Sequence, residues 1–455
     1  MNHSVIILAA GRGLRMRSER PKLLHSIGGV SILQRILSTV SFLNPSKIGV
    51  VIGYQGEALK NSIESSPDIV WVEQTQQLGT GHASLQALPA IGEVDRVLVL
   101  YGDIPLITTE TLQRLLTSTG KNEIGFITVQ APDPTGLGRV LRNKKGEVIR
   151  IVEEKDATIS EKQLKEINAG FFLVPKVYLQ KWLPELSAGN SQKEYYLTDI
   201  MEHAVEEGVV IRTISPQFEW EVLGVNDKIQ LAGLERCYQA TQARQLMEQG
   251  VTLRDPARLD VRGDITVGKD VTIDVNVILE GTVVLGDNLE IGPNVYIKDS
   301  VIHSGAQILA NSVIVGAKIG EDCTIGPFAR IRPGTELKEN VRIGNFVEVK
   351  NSTIDLNSKI NHLSYVGDST IGEDVNIGAG VITCNFDGKD KHQTIIGDRV
   401  FVGSDTQLIA PVTIGNDVTI GAGTTVVHDI PSNHLLHNRV EYRTVSDWKK
   451  TERES

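Results

Sequence analysis

The chain has 455 residues, 40% of them apolar and 22% charged, and carries a formal net charge of −10. That length exceeds what one hydrophobic core supports and predicts two or three domains, while the acidic balance excludes a general nucleic-acid binder, which would be basic. Three widely separated cysteines, Cys237, Cys323 and Cys384, form no CxxC pair, which points away from a disulfide framework or a cysteine zinc site.

No run approaches the roughly 20 apolar residues of a membrane span. The first apolar run is followed too soon by glycine and arginine for a signal peptide, so a reducing cytoplasm is the expected setting. Up to residue 227, strand-like runs alternate with helical ones: VIILAA (5–10), ILQRILSTVSFL (32–43), KIGVVIGY (47–54) and VLVLYGD (97–103). The alternation predicts an α/β domain with a mainly parallel, Rossmann-like sheet, whose ligands sit beyond the carboxyl ends of strands. Two such ends carry chemistry. LAAGRGLRM (8–16) leaves its strand through two glycines and two arginines, shortly before Lys22 in PKLL. Glycines admit close approach to the backbone, and free N–H groups with cations attract an anion such as phosphate. A plain basic strand-to-helix turn would read the same way over so short a stretch. LYGD (100–103) places an acid at the second strand end.

Residues 228–250 lack proline and end at Gly250, predicting one long linking helix. From 251 to 455 the grammar changes. Val261, Val267, Ile273, Leu279, Leu285, Ile291 and Ile297 recur every six residues; after one-residue slips the period returns at Ile319, Ile325, Ile331, Leu337, Ile343 and Val349, and again at Val402, Leu408, Ile414, Ile420 and Val426. Such a hexapeptide repeat marks a parallel β-helix, three repeats making a triangular coil and neighbouring coils lying about 4.8 Å apart. DWKKTERES at the end reads as a solvated tail.

The period turns sequence separation into distance. Arg332 and Lys350 each follow an interior residue three hexapeptides apart, so they stack on one outer face. Two cations held that close repel unless an anion lies between them, which suggests a phosphate pocket; two side chains splaying into water is the open alternative. Glu348 and Tyr365 stack beside them. His362, in NHLSY, is a candidate general base because its ordinary pKa lies near neutrality. Ala379, Ser404 and Ala422 each stand two residues after an interior position and form a column of small residues. From Ile377 to Val402 there are 25 residues where a coil takes 18, so seven are looped out within TCNFDGKDKHQ as a wall. The column is either a shallow channel or the small residues that β-helix corners often demand.

Taken together, LAAGRGLRM with PKLL, QLGTGHA, LYGD, PTGLGR, VEEKDA, EIN and GVN, then RPGT, GNFVEVK, HLSYVGD, NIGAG, ITCNFDG, FVGSDTQLIAPV and GAGTTV, resemble the bifunctional UDP-N-acetylglucosamine pyrophosphorylase/glucosamine-1-phosphate N-acetyltransferase family over nearly the whole chain. The resemblance implies an α/β nucleotidyltransferase domain followed by a left-handed parallel β-helix. It implies two consecutive reactions: acetyl transfer from acetyl-CoA to glucosamine 1-phosphate, then uridylyl transfer from UTP to N-acetylglucosamine 1-phosphate with release of pyrophosphate. By the same resemblance, the product would feed bacterial cell-envelope synthesis. For the first domain it implies that Leu8, Ala9, Ala10 and Gly11 contact uridine, Arg15 and Lys22 the phosphates, and Gln74, Gly79 and Thr80 the uracil. Tyr101 and Gly102 would flank nucleotide and sugar, Gly138, Glu153 and Asn168 would hold the sugar, and Asp103 with Asn226 would bind Mg²⁺ through oxygen. For the second it implies His362 as base with Glu348 as its partner, Arg332 and Lys350 as the phosphate clamp, and Tyr365, Asn376 and Asn385 at the sugar or acetyl group. Ala379, Phe386, Ser404, Ala422 and Arg439 would line the acetyl-CoA groove, and a homotrimer with sites shared between subunits is implied.

Three residues depart from the family pattern: Leu14 and Ala169 each replace a threonine, and Phe386 replaces the tyrosine of NYDG. Altered binding constants are the expected result. A single-activity sugar-1-phosphate nucleotidyltransferase with a β-helix that only oligomerises or binds an effector stands as the alternative, with a degenerate regulatory module as a more distant one.

Overall fold

The computed structural model describes residues 1–455 except 64, 65, 67, 439–442 and 450–455. Arg439 and the end of the expected tail therefore lie outside the described residues. The chain falls into two compact units, Met1–Tyr238 and Gln239–Ser455, dividing inside the helix Lys228–Glu248. Among the described residues no helix is long and apolar enough to cross a membrane.

The first unit is built on a nine-stranded sheet. In chain order the strands are β1 (His3–Ala9), β2 (Ile48–Ile52), β3 (Ile69–Glu73), β4 (Arg96–Tyr101), β5 (Ile124–Gln130), β6 (Arg139–Arg142), β7 (Val148–Val152), β8 (Glu166–Pro175) and β9 (Ile211–Ile214). Their spatial order is β9-β5-β8-β4-β1-β2-β3, with β6 and β7 forming a hairpin beside β8. β4, β1, β2 and β3 pair in parallel, as do β5 and β9, whereas β8 runs antiparallel to both β4 and β5. The sheet is thus mixed, though mostly parallel. A continuous apolar run such as that of β8 signals burial on both faces; the direction of entry is set by the connection through the β6–β7 hairpin.

Successive side chains of β1 go to opposite faces. Val5, Ile7 and Ala9 pack with Ile36, Leu37 and Val40 of α1 (Ile32–Ser41), while Ile6 joins Ala83 and Ala87 of α2 (Thr80–Ala87) on the other side. Each buried valine, leucine or isoleucine among them contributes roughly 1.5–3 kcal/mol. α1 begins where Ser31 Oγ accepts the Gln34 N–H, a side-chain cap for an otherwise orphaned donor.

In the second unit every strand pairing is parallel, from Thr252 to Leu436. The periodic residues face inward: Ile331, Val349 and Val366 are fully buried and lie in direct register. Val267, near the first coil, is only partly covered. Corners turn through left-handed residues such as Asn276, Asn294 and Asn311, with φ near 60°, a conformation asparagine tolerates. Their amides bond up the edge, Asn276 Nδ2 to Asn294 Oδ1 at 2.9 Å and Asn294 Nδ2 to Asn311 Oδ1 at 3.2 Å. The first coil is closed by helix: Ala243 and Leu246 join the apolar core. There Gln239 accepts the Val261 N–H at 2.7 Å and donates to its carbonyl at 2.8 Å, both through its side chain.

Candidate active sites

In the first unit a cavity of about 450 Å³ opens at the carboxyl ends of β1 and β4. Leu8, Ala9, Ala10, Gly11, Lys22, Gln74, Gly79, Thr80, Tyr101 and Asp103 line it. The two glycines of the opening loop do different things. A side chain on Gly11 would meet nothing within 4 Å, so its absence leaves room in the cavity; one on Gly13, at φ 60°, would lie 2.8 Å from Lys22 Cβ. The loop therefore wraps the lysine stem. Lys22 Nζ lies 2.7 Å from Asp103 Oδ2, with the lysine side chain 11% and the aspartate 27% exposed. Gln74 is buried and held by its amide against Gly79 O (3.2 Å) and His82 Nδ1 (2.9 Å). Gly102 N–H donates to Leu8 O at 2.9 Å, joining the ends of β4 and β1. Arg15 stands exposed on the turn Leu14–Met16 and does not line the cavity.

Gly138, Glu153 and Asn168 form a neighbouring group linked through Tyr101. Asn168 N–H donates to Gly138 O at 2.9 Å, and Thr198 Oγ1 donates to Glu153 Oε1 at 3.1 Å. Tyr101 faces Thr80 and Asn168; burial, and then the charge of Glu153, drive its phenol pKa far upward. Burial likewise raises the Glu153 pKa, with Asp156 and Glu194 adding to it. The register between β8 and β5 shifts just after Asn168, a bulge of the kind that re-aims side chains near sites.

Val225 N–H donates to Asp103 O at 2.8 Å, which brings the GVN segment and Asn226 to the strand-end acid. Among the described residues no group of three or more His, Cys, Asp or Glu could hold a metal ion. One carboxylate and one amide oxygen suit a hard cation that keeps most of its shell for water and phosphate, and the ammonium now on Asp103 shows that this carboxylate is placed to receive positive charge. Sequence reading missed Arg12, Gln77 and Glu194, which also line the cavity; Arg12 Nε donates to Gln77 Oε1 at 3.2 Å and Gln77 Nε2 to Ala10 O at 2.7 Å. Two of these lay in plain view within GRG and QLGTGHA.

In the second unit the pairings Ile343–Ile360–Ile377–Val402–Ile420 run in register. Two residues beyond each stand Asn345, His362, Ala379, Ser404 and Ala422, so the histidine and the small residues occupy one vertical line. Three coil steps separate His362 from Ala422, about 14 Å at the strand spacing. Arg332 stacks below Lys350, as the repeat demands.

The partners differ from expectation. Glu348 does not supply the hydrogen bond to His362: its Oε1 lies 2.7 Å from Arg332 Nη1 and its Oε2 3.6 Å from Arg330, while His362 Nδ1 meets Asn345 Oδ1 at 3.0 Å. Register explains the correction, because Glu348 pairs with Tyr365 and Asn345 with His362. Asp368 Oδ2 lies 4.0 Å from Lys350 Nζ and accepts from Asn385 Nδ2 at 2.5 Å. A side chain on Gly367 would collide with the Tyr365 hydroxyl and the Asn385 amide, so its absence lets both converge. Lys391, overlooked in the sequence, has its pKa lowered by the neighbouring Lys350, and three cations therefore gather here. Asn376 is not brought to them: it belongs to the other sheet, in register with Lys359 and Phe401. Phe386 is exposed, Leu14 is exposed and Ala169 is buried in β8.

Residues 5–250 match the family model described as MobA-like NTP transferase domain, 261–337 that of the GMPPB C-terminal domain, and 393–428 that of the bacterial transferase hexapeptide (six repeats). The chain is 50% identical over 447 residues to the bifunctional protein GlmU of Nitrosomonas eutropha and to that of Cupriavidus taiwanensis, each alignment covering 98% of both chains. It is 49% identical over 451 residues to the bifunctional protein GlmU of Francisella tularensis, covering 99% of both.

Proposed function

The chain belongs to the bifunctional GlmU family, and from that premise we propose how named side chains divide the synthesis of UDP-N-acetylglucosamine between two sites. It is a bifunctional enzyme: acetyl-CoA acetylates glucosamine 1-phosphate, and UTP then uridylylates N-acetylglucosamine 1-phosphate with release of pyrophosphate. The observation that carries the residue assignment is the single line of His362, Ala379, Ser404 and Ala422 beside three cations.

In the acetyl site, Arg332 and Lys350 hold the sugar phosphate, Tyr365 and Asn385 orient the sugar and acetyl group, and His362 removes a proton from the attacking amine. Asn345 fixes the ring through Nδ1, which leaves Nε2 for the amine; Glu348 keeps the Arg332 guanidinium aligned. Small side chains at Ala379, Ser404 and Ala422 leave a lane for a long thin cosubstrate, with Phe386 and the loop after Asn385 as its wall. Arg439 is proposed for its phosphates from the family resemblance. Asn376 lies on a different face of the prism, so a neighbouring copy would have to supply it; this supports a homotrimer with shared sites.

In the uridylyl site, Gln74, Gly79 and Thr80 read the base, Leu8 to Gly11 pack the nucleoside, and Lys22 and Arg15 take the phosphates. Tyr101 and Gly102 sit between nucleotide and sugar, and Gly138, Glu153 and Asn168 hold the sugar. The enzyme is metal-dependent, and Mg²⁺ is the ion we assign to Asp103 and Asn226. When bound, such an ion neutralises phosphate charge during in-line attack on the α-phosphorus. Lys22 then has to leave Asp103 for the phosphates. Two free thiols, Cys323 and Cys384, fit a cytoplasmic setting.

Incubating the protein with glucosamine 1-phosphate, acetyl-CoA, UTP and Mg²⁺ tests the scheme, with thiol and pyrophosphate release followed separately. His362→Ala should abolish the first and leave the second; equal loss of both would refute separate sites.

A further inference from the structure

The seven-residue excess after Cys384 is a hairpin closed on itself. Phe386 bridges antiparallel to Lys391, and His392 N–H donates to Asn385 O at 2.8 Å. Asp387 Oδ1 accepts the N–H groups of Lys389 and Asp390 at 2.8 and 2.7 Å, and Asp387 Oδ2 lies 2.7 Å from His392 Nε2. One carboxylate therefore shapes the turn and ties its far stem. Those bonds hold the Asp387 pKa well below the usual carboxylate range. At the base of the hairpin, Asn385 bonds Asp368, which faces Lys350.

Lys391 sits on this hairpin between the bridge and His392. It shares Asp368 with Lys350, and the two ammonium groups repel. A single carboxylate against two cations leaves net positive charge, so the hairpin has to be held against their repulsion. We propose that the His392–Asp387 pair is a staple that holds Lys391 beside Lys350 and so positions a third cation for the phosphate of the sugar substrate. The staple rests on the acetyl-transfer reading of the second unit. His392 and Asp387 are positioning residues: they act through Lys391.

A double-mutant cycle in the full-length protein tests this, read as thiol release with glucosamine 1-phosphate varied. His392→Ala should raise KM for that substrate about 5- to 10-fold, the scale of one charge-assisted contact, with kcat unchanged. His392→Arg, which can still pair with Asp387, should restore the wild-type KM. In a Lys391→Ala background, His392→Ala should add nothing, since coupled residues are not additive. An unchanged KM for glucosamine 1-phosphate, a fall in kcat in its place, or an undiminished effect in that background would overturn the staple. Wild-type protein that releases no thiol would instead overturn the acetyl-transfer reading beneath it.

Discussion

Asp199 begins the short helix Ile200–Glu206 in a half-buried position. Burial, then the carboxylates of Glu202, Glu153 and Asp156, raise its pKa to about 6. An ordinary aspartate titrates near 3.9, so the difference is about two units, or ~3 kcal/mol at 1.36 kcal/mol per unit. The group is partly exposed, and solvent screening reduces this to about 1–2 kcal/mol. The sign follows from proton uptake. Between about pH 4 and pH 6 the folded chain binds the proton that the unfolded chain has released, so stability falls as pH rises through that window. The helix start favours the charge by up to ~1 kcal/mol, which moderates the loss without reversing it. Asp199→Asn should therefore be more stable than wild type by about 1–2 kcal/mol at pH 8 and equal to it near pH 3.5. Calorimetry reads this directly, the first unit's transition being the one that moves upward with UTP and Mg²⁺. At about 2–4 °C per kcal/mol for a unit of this size, the expected gain at pH 8 is about 2–8 °C. A gain of the same size at both pH values, or none at pH 8, would refute the electrostatic account.

Asp103→Ala should lower uridylyl transfer by at least about 100-fold and leave acetyl transfer intact; an unchanged metal titration of pyrophosphate release would contradict its role as ligand. Because burial raises the Glu153 pKa, its charge is lost on acidification sooner than that of an exposed glutamate. KM for N-acetylglucosamine 1-phosphate should accordingly climb at a pH above the ordinary carboxylate range, and Glu153→Gln should erase the climb in a pH profile. Asn345→Ala frees the imidazole and should lower the acetyl-transfer kcat about 10-fold, the equivalent of one hydrogen bond, with substrate KM values unchanged. Ala422→Leu should raise the acetyl-CoA KM while sparing that of glucosamine 1-phosphate, because the added branch enters the lane three coils from the histidine.

The β-helix was legible because each coil repeats the same interior demand, so Ile331, Val349 and their equivalents announce themselves at fixed intervals. Spacing also placed Arg332 under Lys350 and aligned Ala379, Ser404 and Ala422. It did not show that His362 belongs to that last line, since 17-residue coils around it break the count of eighteen. Glu348 was expected beside His362 from the family resemblance, whereas spacing alone stacked it with Tyr365, where it stands, and Asn345 holds the imidazole. Lys391 was hidden by the insertion, where periodicity says nothing and only the hairpin bonds fix direction. In the first unit, strand ends and their motifs were readable, whereas the antiparallel entry of β8 was not, because composition records burial and not orientation.

The side chain of Gln239 offers Val261 the donor and acceptor that a further strand would offer, and Ala243 and Leu246 cover the apolar shaft behind it. A solenoid's terminal coil is otherwise a ready template for the next chain to dock upon. That glutamine thus acts as a chain terminator, and removing it together with its helix would convert a finite rod into a seed for end-to-end fibre growth.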